Sequence, residues 1–300
     1  MKIIRTDENY INSGSVIALG NFDGLHTAHM KIIRSASAYA EDNGLKSGIM
    51  LFEGGLKNKL ITSDSYKKEL LQNEKLDFLY VCEFTDEFKK LSPRAFVELL
   101  VNKFNIKAVC VGYDYTFGYK AEGNPDALKA FGQEYGFEVL VTEQMCFEGH
   151  IISSTYIREL IEAGEVKKAN QLLGRHFCIQ GKVLSGFQNG RKMSIPTANV
   201  EYDVNAVSPR NGVYAALTAV DGVVYKSVVN IGNNPTFNAE KITVESHILD
   251  FNGDLYGKTI SVELLEYLRP DKKFESIEEL KAQIKQDIET AKGIIDKEEY

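Results

Sequence analysis

The stretch Val16-Ile17-Ala18-Leu19-Gly20-Asn21-Phe22-Asp23-Gly24-Leu25-His26-Thr27-Ala28-His29 decides how the first half of this chain folds. Val16 to Leu19 is a short, wholly apolar run, the pattern of a strand buried on both faces. A glycine-rich turn follows, and then a helix expected over Ala28 to Asp42 with Ile32, Ile33 and Ala36 turned inward. A strand, a glycine turn and a helix N-terminus together suit a polyphosphate. The unsatisfied N–H groups and positive end of the helix favour negative charge, and glycine lets the backbone approach it. Asp23, His26 and His29 lie on the same turn, and histidines three apart at a helix start face one side. Two imidazoles there can donate to phosphate oxygens as charge develops on them. A bare H-x-x-H reads better as polar helix caps or an incidental surface pair; the preceding Gly20-x-Phe22-Asp23-Gly24 reverses that in favour of the phosphate site.

Outward from this stretch, strands are expected at Ser47–Phe52, Phe78–Cys82, Ala108–Gly112 and Phe137–Val141. Helical patterns separate them, one opened by Ser92 as N-cap and Pro93 in the first turn. Apolar strands alternating with helices indicate a Rossmann-like α/β domain, a parallel sheet covered on both faces. Two short helices are expected between Ser153 and Gly174, with a domain boundary at residue 175. Beyond it the texture changes to short strands at Ile179–Val183, Gly212–Leu217, Val223–Val229 and Ile260–Leu264, parted by Gly and Asn turns. Asp221-Gly222 is a hairpin signal. These features predict a small antiparallel β-barrel. A terminal helix starts at the S-x-x-E capping box of Ser276 and Glu279, with Ile277, Leu280, Ile284, Ile288 and Ala291 along one face.

A chain of 300 residues fits two domains, here 1–175 and 176–300, each able to bury a core. The net charge of −7 argues against a broad nucleic-acid footprint but leaves room for phosphates held locally. Cys82, Cys110, Cys146 and Cys178 form no C-x-x-C pair, which argues against zinc, and their dispersion fits the reducing cytoplasm. The N-terminus does not resemble a signal peptide, and no apolar run is long enough to span a membrane. The expected partners are therefore small molecules. No feature of the sequence specifies an oligomeric state.

Three further segments carry chemistry. Ile152-Ser153-Ser154-Thr155-Tyr156-Ile157-Arg158 puts hydroxyls and an arginine at a helix start, a second phosphate grip. Val111-Gly112-Tyr113-Asp114-Tyr115-Thr116-Phe117-Gly118, continuing to Asn124, is an aromatic glycine loop after a buried strand and a candidate pocket wall. Pro196-Thr197-Ala198-Asn199 offers a hydroxyl and an amide oxygen, both hard ligands suited to Mg²⁺, and Glu245 in a strand-like run is a candidate general base. Read alone, the last two are equally a turn and a solvated strand residue.

The H-x-x-H and I-S-S-T-x-I-R elements together resemble the nucleotidyltransferase superfamily, in which they converge on the ATP triphosphate. The downstream series resembles riboflavin kinase: Gly181-Lys182-Val183, Gly190-Arg191, P-T-A-N, Asn230-Ile231-Gly232, Pro235-Thr236-Phe237, Val244-Glu245-Ser246-His247 and Leu268-Arg269. The whole chain resembles the bacterial bifunctional riboflavin kinase/FMN adenylyltransferase family, the FAD synthetases.

That resemblance implies two reactions: riboflavin and ATP give FMN in the second domain, and FMN and ATP give FAD and pyrophosphate in the first. It implies Glu245 as base, Thr197 and Asn199 on Mg²⁺, and Gly181, Lys182, Thr197, Asn199 and Arg269 around the kinase's substrates. In the first domain it implies Gly20, Phe22, Asp23, Gly24, His26, His29, Ser154, Thr155 and Arg158 around ATP, with His26 and His29 catalytic. Asp114, Phe117 and Asn124 would hold the flavin. The chain departs from the family pattern at Ala28, usually glycine, at Phe52-Glu53-Gly54-Gly55-Leu56, usually Phe-Glu-Pro-His-Pro-like, and at Phe187-Gln188-Asn189, more often polar and acidic. Two alternatives stay open: a riboflavin kinase with a weak first domain, or a flavin-responsive binding or regulatory protein.

Overall fold

The computed structural model describes residues 1–8, 10, 12–53, 59–184, 196–234 and 241–298. The Gly54-Gly55-Leu56 loop, Phe187 to Arg191 and Pro235-Thr236-Phe237 lie outside the described residues. Contacts divide the chain into two compact units, residues 1–57 with 62–153 and residues 58–61 with 154–300.

In the first unit the strands are β1 (Lys2–Arg5), β2 (Ser15–Ala18), β3 (Lys46–Glu53), β4 (Phe78–Glu83), β5 (Ile106–Gly112) and β6 (Glu138–Thr142). They form one sheet in the order β1-β4-β3-β2-β5-β6, with every neighbouring pair parallel. The edge strand β1 goes beyond the sequence expectation, because only Ile4 of its four residues is buried and no alternation marks it. Helices α1 (Thr27–Asn43), α2 (Asp64–Gln72), α3 (Asp86–Lys89), α4 (Pro93–Phe104) and α5 (Pro125–Tyr135) connect the strands.

Successive residues of β2 point to opposite faces, so both must be apolar. Ile17 joins Met50, Phe78, Tyr80, Phe96 and Phe104 on one side. Val16 and Ala18 join Ile33, Ile49, Leu71 and Leu79 on the other. From β2 the chain winds through β3 and β4 to one side, then through β5 and β6 to the other. The carboxyl ends of β2 and β5 therefore flank the point where the winding reverses, the usual ligand crevice of such sheets. Strands β7 (Cys146–Phe147) and β8 (His150–Ile151) add a small hairpin.

The second unit holds α6 (Ser154–Ala163), α7 (Val166–Leu173), β9 (Phe177–Leu184), β10 (Ala198–Val200), β11 (Gly212–Val220), β12 (Val223–Asn234), β13 (Lys241–Ile248), β14 (Thr259–Arg269) and the terminal helix Ile277–Ile295. The strands close into an antiparallel barrel in the order β10-β13-β12-β11-β14-β9. Val220 pairs with Val223 across Asp221-Gly222, whose φ values of 50° and 83° make the two-residue left-handed turn expected there.

The division at 153/154 comes ahead of residue 175 because α6 and α7 fasten to the barrel. Asn170 donates to the Leu264 carbonyl at 2.8 Å and accepts from the Phe177 N–H at 2.7 Å. Ser276 accepts from the Glu279 N–H at 3.1 Å, starting the terminal helix at the expected residue. Ala291 and Ile295 of that helix pack on Val213, Ala215, Leu217 and Leu265 of the outer barrel face.

A largely buried ion pair joins that helix to the barrel. Arg269 grips Asp287 through Nε at 2.9 Å and Nη2 at 2.7 Å, with the aspartate side chain only 6% exposed. Removing one partner strands the other charge in a low-dielectric setting, which costs about 3–5 kcal/mol. Asp287→Ala is expected to lose about that much in urea unfolding, whereas Asp287→Leu combined with Arg269→Met recovers most of it. A loss under about 1 kcal/mol in the single variant would show the pair to be of little structural weight.

Candidate active sites

The turn after β2 is held by its two apolar members. Phe22 and Leu25 are buried despite left-handed φ values of 49° and 43°, and Gly24 between them has φ 82°. Such a run costs backbone strain, here offset by burial of the two side chains. The Phe22 ring folds back over Gly20, where an added Cβ would stand 3.1 Å from it. Phe22 thus shapes the loop from within the core.

His26 caps α1: its Nδ1 accepts from the His29 N–H at 3.3 Å. An accepting Nδ1 carries no proton, which leaves Nε2 to bear it in the neutral ring. The two imidazoles stack at 3.5 Å between centroids, 17° apart, as their spacing suggested. Burial, then His26, then Lys67 hold the His29 imidazole well below its usual protonation range. Its Nδ1 is enclosed and has no hydrogen-bond partner among the described residues. Asp23 is buried, and its Oδ1 accepts from the Thr62 N–H at 3.4 Å, tying the turn to the start of α2. Ala28 lies inside α1 with right-handed backbone, so its Cβ brings no conformational strain.

The segment after β5 opens at the same winding reversal. Asp114 is exposed there, but Phe117 is buried against Phe96, with ring centroids 5.4 Å apart. Asn124 caps α5 by accepting from the Ala127 N–H at 2.9 Å. Phe117 thus packs in the core and Asn124 serves as a helix cap, while Asp114 stands at the surface.

In the second unit Ser154 and Thr155 open α6, and Arg158 follows one turn on, donating from Nε to the Lys59 carbonyl at 2.8 Å.

On the barrel, register assembles a polar row. Glu245 of β13 lies opposite Asn199 of β10 on one side and Asn230 of β12 on the other. Directly paired residues share a face, so the three side chains stand together on the outer surface. The inner face of β13 carries Val244 and Ser246, the latter bonded through Oγ to Thr218 at 3.0 Å. Burial raises the Glu245 carboxyl above the usual glutamate range. Beside the row opens a cleft of about 360 Å³ whose lining includes Thr197, Asn199, Phe251, Asp254 and Tyr256. His247 Nδ1 lies 2.8 Å from the Pro196 carbonyl oxygen and holds the P-T-A-N backbone against β13.

Asn230 and His247 lie within the motif strings, but their roles come from register and contact, and only folding brings those partners together. Gly181 has a packing reason to be glycine, since a Cβ there would meet the Glu201 carbonyl oxygen at 2.0 Å. Lys182 is exposed beside it. Arg269 lies at the end of β14, its donors directed to Asp287 and, from Nη1, to the Pro270 carbonyl at 3.0 Å.

Two family models match the chain: FAD synthetase over residues 8–156 and riboflavin kinase over residues 173–295. Among curated proteins, the bifunctional riboflavin kinase/FMN adenylyltransferase of Listeria monocytogenes is 34% identical, covering 95% of this chain and 93% of that protein. The Escherichia coli K12 protein of the same description is 35% identical, covering 97% of both chains. A solved structure described as a macrolide-efflux protein from Streptococcus pneumoniae superposes with a TM-score of 0.90 at 30% identity, covering 97% of this chain and 99% of that one. Among the described residues no helix is long and apolar enough to cross a membrane. With two family models in tandem and full-length relatives above 30% identity, the chain belongs to the bifunctional riboflavin kinase/FMN adenylyltransferase family.

Proposed function

We propose that this chain phosphorylates riboflavin to FMN on its barrel and joins FMN to AMP on its parallel sheet, using ATP for both, in the cytoplasm. The observation that carries the proposal is the Asn199–Glu245–Asn230 row beside the cleft, with a carboxyl made more basic by burial. Glu245 takes the proton from riboflavin's terminal ribityl hydroxyl as that oxygen attacks the γ-phosphorus of ATP, releasing ADP. Asn199 borders both the row and the cleft, so it links the alcohol to the nucleotide. This chemistry is mostly positioning and charge neutralisation.

Magnesium fits the barrel site. Thr197 and Asn199 present hard oxygen donors at the cleft, and Mg²⁺ commonly combines few protein ligands with nucleotide phosphates. When bound, the ion would draw charge from the transferring phosphoryl group.

On the sheet an FMN phosphate oxygen attacks the α-phosphorus of ATP and pyrophosphate leaves. The α1 N-terminus, His26 and His29 stabilise the charge that builds on the phosphates. Ser154, Thr155 and Arg158 are assigned phosphate contacts, and Asp114, Phe117 and Asn124 the flavin side, by the family resemblance alone. Residues 1–175 are assigned to adenylyl transfer and 176–300 to phosphorylation, which the matches at 8–156 and 173–295 support.

Separate feeding tests the two halves. Riboflavin with ATP is expected to give FMN and ADP. FMN with ATP, without riboflavin, is expected to give FAD and pyrophosphate in equal amounts. Absence of pyrophosphate from the second mixture would reduce the proposal to a kinase.

A further inference from the structure

Lys67 is buried in the first unit, where a cation is costly. Its side chain is 4% exposed, and its ammonium meets one carboxylate, Asp64 Oδ1, at 3.3 Å. The Asp64 side chain is itself 44% exposed and directed partly to water. An ammonium has three donors, and among the described residues Asp64 accounts for one. Lys67 also lies in the first turns of α2, where the helix dipole opposes a positive charge. Its neighbour Lys68 shows the ordinary arrangement: partly exposed and paired with Glu53 at 3.0 Å.

The direction in which Lys67 faces gives this placement a purpose. One turn further along α2, Leu71 is fully buried in the cluster that contains Phe22, Leu25 and Ile33. Lys67 and Leu71 are the two buried residues of α2, so this face of the helix looks onto the H-x-x-H turn. The Lys67 charge is one of those that hold the His29 imidazole neutral, after burial and His26. The start of the same helix is tied to that turn through Asp23 and the Thr62 N–H. A buried cation on α2 and the α1 N-terminus thus belong to elements packed on one another. A buried cation and a helix N-terminus raise each other's energy in the absence of an anion, and a polyphosphate offsets both.

We propose that Lys67 is a phosphate-binding residue of the adenylyl-transfer site and takes the β- and γ-phosphates that leave together as pyrophosphate. Negative charge on those oxygens rises as the bond to the α-phosphorus breaks, so a fixed cation there favours the transition state over bound ATP. The inference rests on the adenylyltransferase function proposed above and adds a residue to it.

The test uses the full chain, with FMN and ATP as substrates and inorganic pyrophosphate as product inhibitor. Lys67→Met is expected to lower kcat/KM for ATP by roughly 10–100-fold and to weaken pyrophosphate inhibition by about 10-fold or more. The KM for FMN and the riboflavin kinase activity of the same preparation should not change. Asp64→Asn removes the competing carboxylate and is expected to tighten pyrophosphate inhibition by about threefold. A purely structural lysine would not produce that gain. A folded Lys67→Met with wild-type KM for ATP and wild-type pyrophosphate inhibition overturns the proposal. Should Lys67→Met not fold, unchanged or weaker inhibition in Asp64→Asn overturns it. A wild-type protein that makes no FAD would instead remove the function on which the inference rests.

Discussion

Glu245→Gln is expected to lower riboflavin phosphorylation by about 10²–10⁴-fold, the range for losing a positioned general base. The amide keeps the shape and the neighbours Asn199 and Asn230 but cannot accept the hydroxyl proton. FMN adenylylation, assigned above to the other domain, should be unaffected. The pH profile adds a second readout. A base acts in its ionised form, and burial raises this carboxyl above its ordinary value of 4.5. The wild-type kinase should therefore lose activity as pH falls through a value above 4.5, and the variant should lack that limb. The stability effect has the opposite sign. A raised carboxyl pKa means that the folded state binds the proton more tightly than the unfolded state, so this contribution declines as pH rises through the window. At neutral pH Glu245→Gln should unfold at a slightly higher temperature than wild type, an exchange of stability for activity common at active sites. A variant that is both fully active and no more stable would place the base elsewhere.

His29→Asn is expected to cost adenylyl transfer about 10²–10³-fold, the effect of removing one donor that is aimed at developing charge. The kinase activity should remain. His29 also sets a pH dependence of stability. Burial, His26 and Lys67 depress its protonation below the ordinary histidine value of 6.5, so the unfolded chain takes up a proton that the folded chain refuses. The contribution is complete above pH about 6.5 and is lost as pH falls below it. In urea titrations from pH 7.5 to 5.5 the wild type should weaken more steeply than His29→Asn. Parallel curves would show that His29 is not held neutral by the fold.

The parts legible in the sequence are those where local chemistry agrees with the fold. Val16 to Ala18 are apolar without a break because both faces of β2 are covered. Asp221-Gly222 and Ser276 with Glu279 specify a turn and a cap within a few residues of themselves. The H-x-x-H turn was legible for the same reason, since two side chains three apart on a helix start meet without help from the rest of the chain. Edge strand β1 was hidden because one inward residue makes no pattern. Helix α2 was hidden because a lysine occupies half of its inward stripe, which removes the apolar period. The sequence placed Glu245 in a strand but could not show that Asn230 and Asn199 flank it, because those pairings depend on register across three strands. Phe22, Phe117, Asn124 and Arg269 also serve core packing, a helix cap and an ion pair, contacts that motif strings do not show.

The proposed division of the two reactions between two sites makes a direct demand on the products of two variants. With riboflavin, ATP and magnesium, His29→Asn should accumulate FMN with little FAD, and Glu245→Gln should leave riboflavin untouched yet convert added FMN to FAD. Mixed together, the two proteins should carry riboflavin through to FAD, resolved by chromatography over time. FAD formed by His29→Asn or FMN formed by Glu245→Gln at the wild-type rate, or a mixture that stops at FMN, would contradict the assignment of the two reactions to these two sites.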